Sequence, residues 1–236
     1  MEKHLFEDDW MILFFNFLKD KGLDPEYSHK KRKLVFYNSN YNKLVAFRLS
    51  TNLEFKIDTK VLSEPEFVNY LIILIRSGMA SVAMVQNHEI LDHKVFRAYM
   101  VRKKQGKSQI KHLKTKGKSR AGSRVRLAET EIFFKNITER VNLYIKTYPV
   151  DQIGISCSET LVPYLFSESN RLLLDKKDSR IFKIPKHIAT PTLENLKLTK
   201  IFLEKNQLTV FPEGTGLLDE FLSRMGNSEK KIEDDW

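Results

Sequence analysis

Eleven of the twenty-five residues in the stretch 102–126 are Lys or Arg, and the same stretch holds no Asp, Glu, Phe, Tyr or Trp. A run of that kind cannot enter a hydrophobic core, because each unpaired charge would lose its hydration. It is expected as a surface loop, and the packed body has to come from the residues on either side. The whole chain has 40 basic and 30 acidic residues, a formal charge of +10. Removing these eleven leaves 29 basic against 30 acidic residues, so the entire basic excess sits in this one stretch. A polyanion is the natural partner, since phosphates neutralised by Lys and Arg release condensed counterions.

The remainder is rich enough to fold. At 236 residues, 42% hydrophobic and 11% aromatic, the chain suits one large domain or two small ones. Its single cysteine, Cys157, excludes an internal disulfide and fits a reducing cytoplasm. No basic region followed by an apolar run and a small-residue cleavage site opens the chain, and the apolar stretches near residues 11–18 and 71–75 fall short of the ~20 residues that span a bilayer. The expected location is the cytoplasm, without a membrane. His88 and His93 lack a third ligand, so neither metal nor cofactor is expected.

Periodicity predicts the elements. Residues 10–18 have helical spacing until Gly22 and Pro25 stop the run. Residues 34–37 and 44–49 read as strands around the turn Asn38, Ser39, Asn40, with Phe55, Ile57 and Val61 extending the sheet. Ser63, followed by Glu64 and Glu66, reads as the capped start of a helix running through Leu71 and Ile75 to Gly78. Residues 80–85 and 95–101 read as strands around a polar turn at 87–93, and the second strand feeds the basic loop. Val125, Ala128, Ile132, Ile137, Val141 and Tyr144 then mark one buried face of a helix ending near Pro149. Further expectations are a strand at 153–157, a helical segment through Leu165, a strand at 180–185, a helix at 192–205 and a strand at 208–211. The alternation predicts an α/β fold with a mixed sheet flanked by helices. The expected organisation is one domain, with an N-terminal α/β portion at 1–94 and a second portion at 95–212 carrying the loop, followed by a polar, partly disordered C-terminal tail at 213–236.

Long loops inside compact domains tend to be functional or disordered. At the centre of this one, Gln105, Gly106, Lys107, Ser108 and Gln109 place uncharged amides and a glycine inside the charge. An amide offers a donor and an acceptor but is no base at neutral pH, so it can only position a water or a ribose hydroxyl. Catalysis here would rest on positioning and on stabilisation by neighbouring cations.

The run Arg102, Lys103, Lys104, Gln105, Gly106, Lys107, Ser108, Gln109, followed by Ser119, Arg120, Ala121, Gly122, Ser123 and Arg126, resembles the signature of the Vms-type release factors. These are relatives of the catalytic domain of the eukaryotic and archaeal class I peptide-chain release factor. A second patch, Asp178, Arg180, Ile184, Pro185, Pro191, Thr192 and Leu196, is similar to the family's downstream strand, turn and helix. The resemblance spans roughly residues 95–211 and looks like a prokaryotic, single-domain version of the family. It implies a release-factor-like α/β fold and a loop that enters the peptidyl-transferase centre of the large ribosomal subunit to free nascent chains from stalled peptidyl-tRNA. Gln109 would occupy the catalytic glutamine position, with Gly106 and Ser108 shaping the backbone. Arg102, Lys103, Lys104, Lys107, Lys111, Lys114, Lys116, Lys118, Arg120, Arg124 and Arg126 would contact RNA. Where the true release factors carry two glycines before the glutamine, this chain has Lys107 and Ser108. Cleavage of the tRNA near its 3′ end is therefore the rival reaction, and a non-catalytic module docked on ribosomal or transfer RNA is the alternative function.

Overall fold

A computed structural model describes the backbone of residues 2–98 and 118–233, and side chains for residues 5–98 and 128–225. It is a mixed α/β structure of two compact units, one made of residues 1–67 and 201–236, the other of 68–200.

The first unit holds the strands β1 (Glu2–Phe6), β2 (Pro25–Ser28), β3 (Lys33–Tyr37), β4 (Lys43–Arg48) and β12 (Asn206–Val210) in the order β1-β12-β4-β3-β2. Each neighbouring pair is antiparallel. A small hairpin of β5 (Glu54–Lys56) and β6 (Val61–Ser63) stands beside them. Helix α1 (Asp8–Asp20) buries Met11, Phe14, Phe15, Phe17 and Leu18, and starts with Asp8 and Asp9 at the positive end of its dipole. It stops at Gly22, whose φ of 75° lets its N–H reach Lys19 O at 2.8 Å while Leu23 N–H reaches Leu18 O at 3.1 Å, the Schellman geometry. The Asp8 carboxylate accepts from Ser50 Oγ at 2.7 Å, Asn52 Nδ2 at 3.0 Å and Asn206 Nδ2 at 2.5 Å, joining helix, loop and last strand.

The residues after β12 correct the expected polar tail. A short turn, Pro212–Gly214, leads into helix α5 (Thr215–Glu233). Its Phe221 is only 4% exposed, with ring centroids 5.1, 4.9 and 5.5 Å from those of Trp10, Phe14 and Phe17. Averaged composition hid an apolar stripe: Leu217, Leu218, Phe221 and Met225 all pack on this core.

The second unit is a five-stranded sheet ordered β11-β10-β7-β8-β9. The strands are β7 (Asn69–Arg76), β8 (Met79–Gln86), β9 (Glu89–Arg97), β10 (Gln152–Cys157) and β11 (Ile181–Lys183). Strand β7 replaces the helix expected after Ser63. Its residues 69–75 are buried without a gap, as in a central strand covered on both faces, and a short apolar run carries no period to separate that from a helix. Gly78, read as a helix stop, sits at φ 76° in the tight β7–β8 hairpin. The next turn is also shorter than expected. Asn87 and His88, both at positive φ, join Gln86 to Glu89, so β9 starts six residues before the expected 95. Helix α2 (Lys118–Thr147) follows and lays Phe133, Phe134, Ile137, Val141 and Tyr144 on one face of the sheet. The short α3 (Val162–Leu165) adds Leu165 to that same cluster, and α4 (Leu193–Leu203) follows β11.

Candidate nucleic-acid interface

Strands β7, β10 and β11 are parallel, and β8 is antiparallel to both β7 and β9. So β7, β9, β10 and β11 end at one edge of the second unit's sheet. In open sheets with parallel strands, ligands gather at the carboxyl ends. The chain leaves the sheet there, at the end of β9, and returns at the N-terminus of α2.

Both anchors are firm. Phe96 packs into the core, Ala98 N–H donates to Gly78 O at 2.9 Å, and β9 is laddered to β8 along its length. On the returning side, Phe134, Ile137 and Val141 are fully buried. Arg140 Nη1 of α2 donates to Asp92 Oδ2 of β9 at 3.0 Å, and its guanidinium lies 5.4 Å from the Tyr144 ring centroid. Burial pushes the Tyr144 hydroxyl well above its ordinary value, so it stays neutral. Between the anchors opens a cleft of about 310 Å3, lined by Phe96, Arg97, Ala98, Glu129, Ile132, Phe133 and Asn136.

Of the sequence-predicted residues, Arg102, Lys103, Lys104, Gly106, Lys107, Ser108, Gln109, Lys111, Lys114 and Lys116 lie outside the described residues. Lys118, Arg120, Arg124 and Arg126 fall on the backbone of the first turns of α2, which begins at Lys118 rather than near 125. No acidic residue precedes Glu129 on this helix. Cations at the positive pole of a helix dipole do not favour the helix itself, but they complement an anion placed there.

Two further cations at this edge were not singled out by composition. Arg76 closes β7 and Arg97 closes β9, in one cross-strand row through Met79. Arg76 is anchored through Nη1 to Ile75 O at 2.7 Å and Nη2 to Ser156 Oγ at 3.2 Å. Only strand pairing brings them together. Cys157, read from sequence as a buried structural thiol, is half-buried at the end of β10, and burial pushes its thiol up to about 11. It is therefore no nucleophile at neutral pH.

The second sequence patch is scaffold. Asp178 Oδ1 accepts from Arg180 Nε at 3.0 Å and from Arg180 N–H at 2.9 Å, while Asp178 Oδ2 accepts from Arg180 Nη2 at 2.8 Å. Arg180 Nη1 also donates to Val150 O at 3.2 Å, tying the turn before β11 to the turn before β10. Ile184 is 2% exposed, Leu196 is fully buried, and Thr192 Oγ1 accepts from Asn195 N–H at 3.2 Å at the start of α4. Asp178 is held below the usual carboxylate range, chiefly by its hydrogen bond from Arg180.

Comparison with known proteins supplies the family. No curated protein matches the chain. Among solved structures, one described as "Vms1 mitochondrial localization core" is similar at 15% identity and a TM-score of 0.44, covering 88% of this chain and 100% of that one. The model of the Bacteroidetes VLRF1 release factor family matches residues 70–211, from the central strand of the second unit through the basic segment and both anchors. The chain belongs to the Bacteroidetes VLRF1 release factor family.

Proposed function

We propose that the protein is a cytoplasmic, ribosome-associated factor that frees nascent chains from stalled peptidyl-tRNA. Its basic segment enters the peptidyl-transferase centre of the large subunit. The observation that carries this reading is the place of that segment in the chain, between β9, which ends at the carboxyl edge of the sheet, and α2, within the residues that match the release factor family.

Gln109 orients a water against the ester carbonyl. The water oxygen bonds to that carbon, the bond to the ribose oxygen breaks, and the peptide leaves as a carboxylic acid from a tRNA with an intact 3′ hydroxyl. Gly106 and Ser108 shape the backbone around the amide, and the flanking Lys and Arg side chains hold phosphates and the developing oxyanion. Lys107 and Ser108, in the places of two glycines, favour a second reading in which the same segment cleaves the tRNA near its 3′ end.

A release assay on stalled peptidyl-tRNA complexes decides between them. The expected result is loss of release in Gln109→Ala at unchanged ribosome binding, with an intact CCA end on the wild-type product. A shortened tRNA selects the second reading. Full release by Gln109→Ala defeats the glutamine assignment, and absence of release by the wild-type protein, with binding abolished on charge reversal of the lysines, makes the protein a non-catalytic docking module.

A further inference from the structure

The hairpin joining β3 to β4, in the first unit, has turn chemistry at odds with its sequence. Asn38 O accepts from Tyr41 N–H at 3.0 Å and Asn38 N–H donates to Asn42 O at 2.9 Å, closing a tight loop. The Asn38 side chain stiffens it from inside, its Oδ1 accepting from Asn40 N–H at 2.9 Å and Asn42 N–H at 3.0 Å. The strand register shifts by one residue beside this loop. Such a loop needs one left-handed residue, a position suited to glycine or asparagine. The residue there, at φ 59°, is Tyr41.

A bulky side chain in that conformation is strained, and here the strain gains nothing by burial, because Tyr41 is 83% exposed. Strain of this kind persists at functional positions where the surroundings over-determine the backbone. They do so here. Phe211 N–H donates to Leu44 O at 3.0 Å at the base of the hairpin. Gly214 packs so closely behind it that a Cβ would stand 2.1 Å from that same oxygen. The tip presents an exposed aromatic ring among Ser39, Asn40, Asn42 and Lys43, all exposed, with no acidic residue between Tyr37 and Lys43.

We infer that Tyr41 is a stacking platform for an unpaired RNA base, a binding point separate from the basic segment. The inference rests on the reading of the protein as an RNA-docking factor. Every base has a π-face, and splayed bases are recognised by stacking on aromatic rings while neighbouring amides meet their edges. A protein hot spot would instead set the ring in an apolar surround. This tip surrounds it with amides and one cation.

The test uses the whole chain with two probes, purified large ribosomal subunits and a short unstructured single-stranded RNA. Binding is measured across a salt series, and short-wave ultraviolet cross-links are mapped by mass spectrometry. Tyr41→Ala is expected to weaken binding about tenfold. Its salt slope should not change, because the tyrosine neutralises no phosphate. Tyr41→Phe and Tyr41→Trp should bind as wild type, and nucleotide adducts should map to Tyr41. Tyr41→Gly relieves the backbone, so it should keep or raise the melting temperature while binding as weakly as Tyr41→Ala; a fall in binding from misfolding would lower both. Subunit binding that is normal in Tyr41→Ala, without adducts at the tip, overturns the inference and leaves the proposed function standing. A tenfold loss on single-stranded RNA by a protein that ignores large subunits supports stacking and defeats the proposed function. Loss in Tyr41→Phe equal to that in Tyr41→Ala, or an adduct to a ribosomal protein in place of RNA, overturns the stacking assignment.

Discussion

Phe221→Ala removes a ring that is 4% exposed and lies within 5.5 Å, centroid to centroid, of Trp10, Phe14 and Phe17. An aromatic side chain buries about 150 Å2 or more, and about 25 cal/mol per Å2 puts the loss near 4 kcal/mol. Measured Phe→Ala costs in cores run about 3–5 kcal/mol, since the cavity collapses only in part. The assay is urea unfolding followed by a probe of the first unit. With an m-value of about 2 kcal/mol/M for a unit of this size, the midpoint should fall by about 2 M at unchanged slope. Leu222→Ala, one residue along the same helix and 47% exposed, should stay within about 0.5 kcal/mol of wild type. If the two variants shift the midpoint equally, α5 does not close the core and the packing argument is refuted.

Combined charge reversal of Lys103, Lys104 and Lys111 to Glu should weaken ribosome association. It should also make log K against log salt shallower by roughly two, since each phosphate left unneutralised takes about 0.7 from the slope; an unchanged slope would remove these side chains from the RNA-binding surface. Asp178 is held low by Arg180, so its contribution to stability is fully present above the usual carboxylate value of 3.8 and is lost as the pH falls below it. Asp178→Asn should therefore lower the urea midpoint at pH 7 and converge with wild type in acid, and a pH-independent gap between the two would contradict the assignment.

Much of this was legible in the chain. Helix α1, with its aromatic stripe closed by Gly22, follows from spacing alone, and so does the long helix, although of its expected buried face Ile137, Val141 and Tyr144 are buried while Ala128 and Ile132 are exposed. That the whole basic excess sits in one stretch follows from charge counting without any structure. What escaped reading has specific causes. Residues 69–75 are apolar at every position but one because both faces of β7 are covered, and a pattern with no polar side has no period to measure. The last helix hid because a few apolar residues on one face are diluted by the charged ones on the others. Arg76 and Arg97 fall in one cross-strand row only through the ladder Arg76, Met79, Arg97, which no local window contains. Tyr41 was invisible because the left-handed position of its loop carries no glycine to announce it.

The order of strands in the first unit bears on how the protein is made. Strand β12 lies between β1 and β4, yet it is the last of the three to leave the ribosome by more than 150 residues. Until then the early part of the chain carries an open, unpaired strand edge, the kind of surface that invites wrong pairing during synthesis. Translation that halts before residue 206 therefore strands a half-finished sheet, so incomplete copies of this protein are themselves candidates for aggregation or clearance.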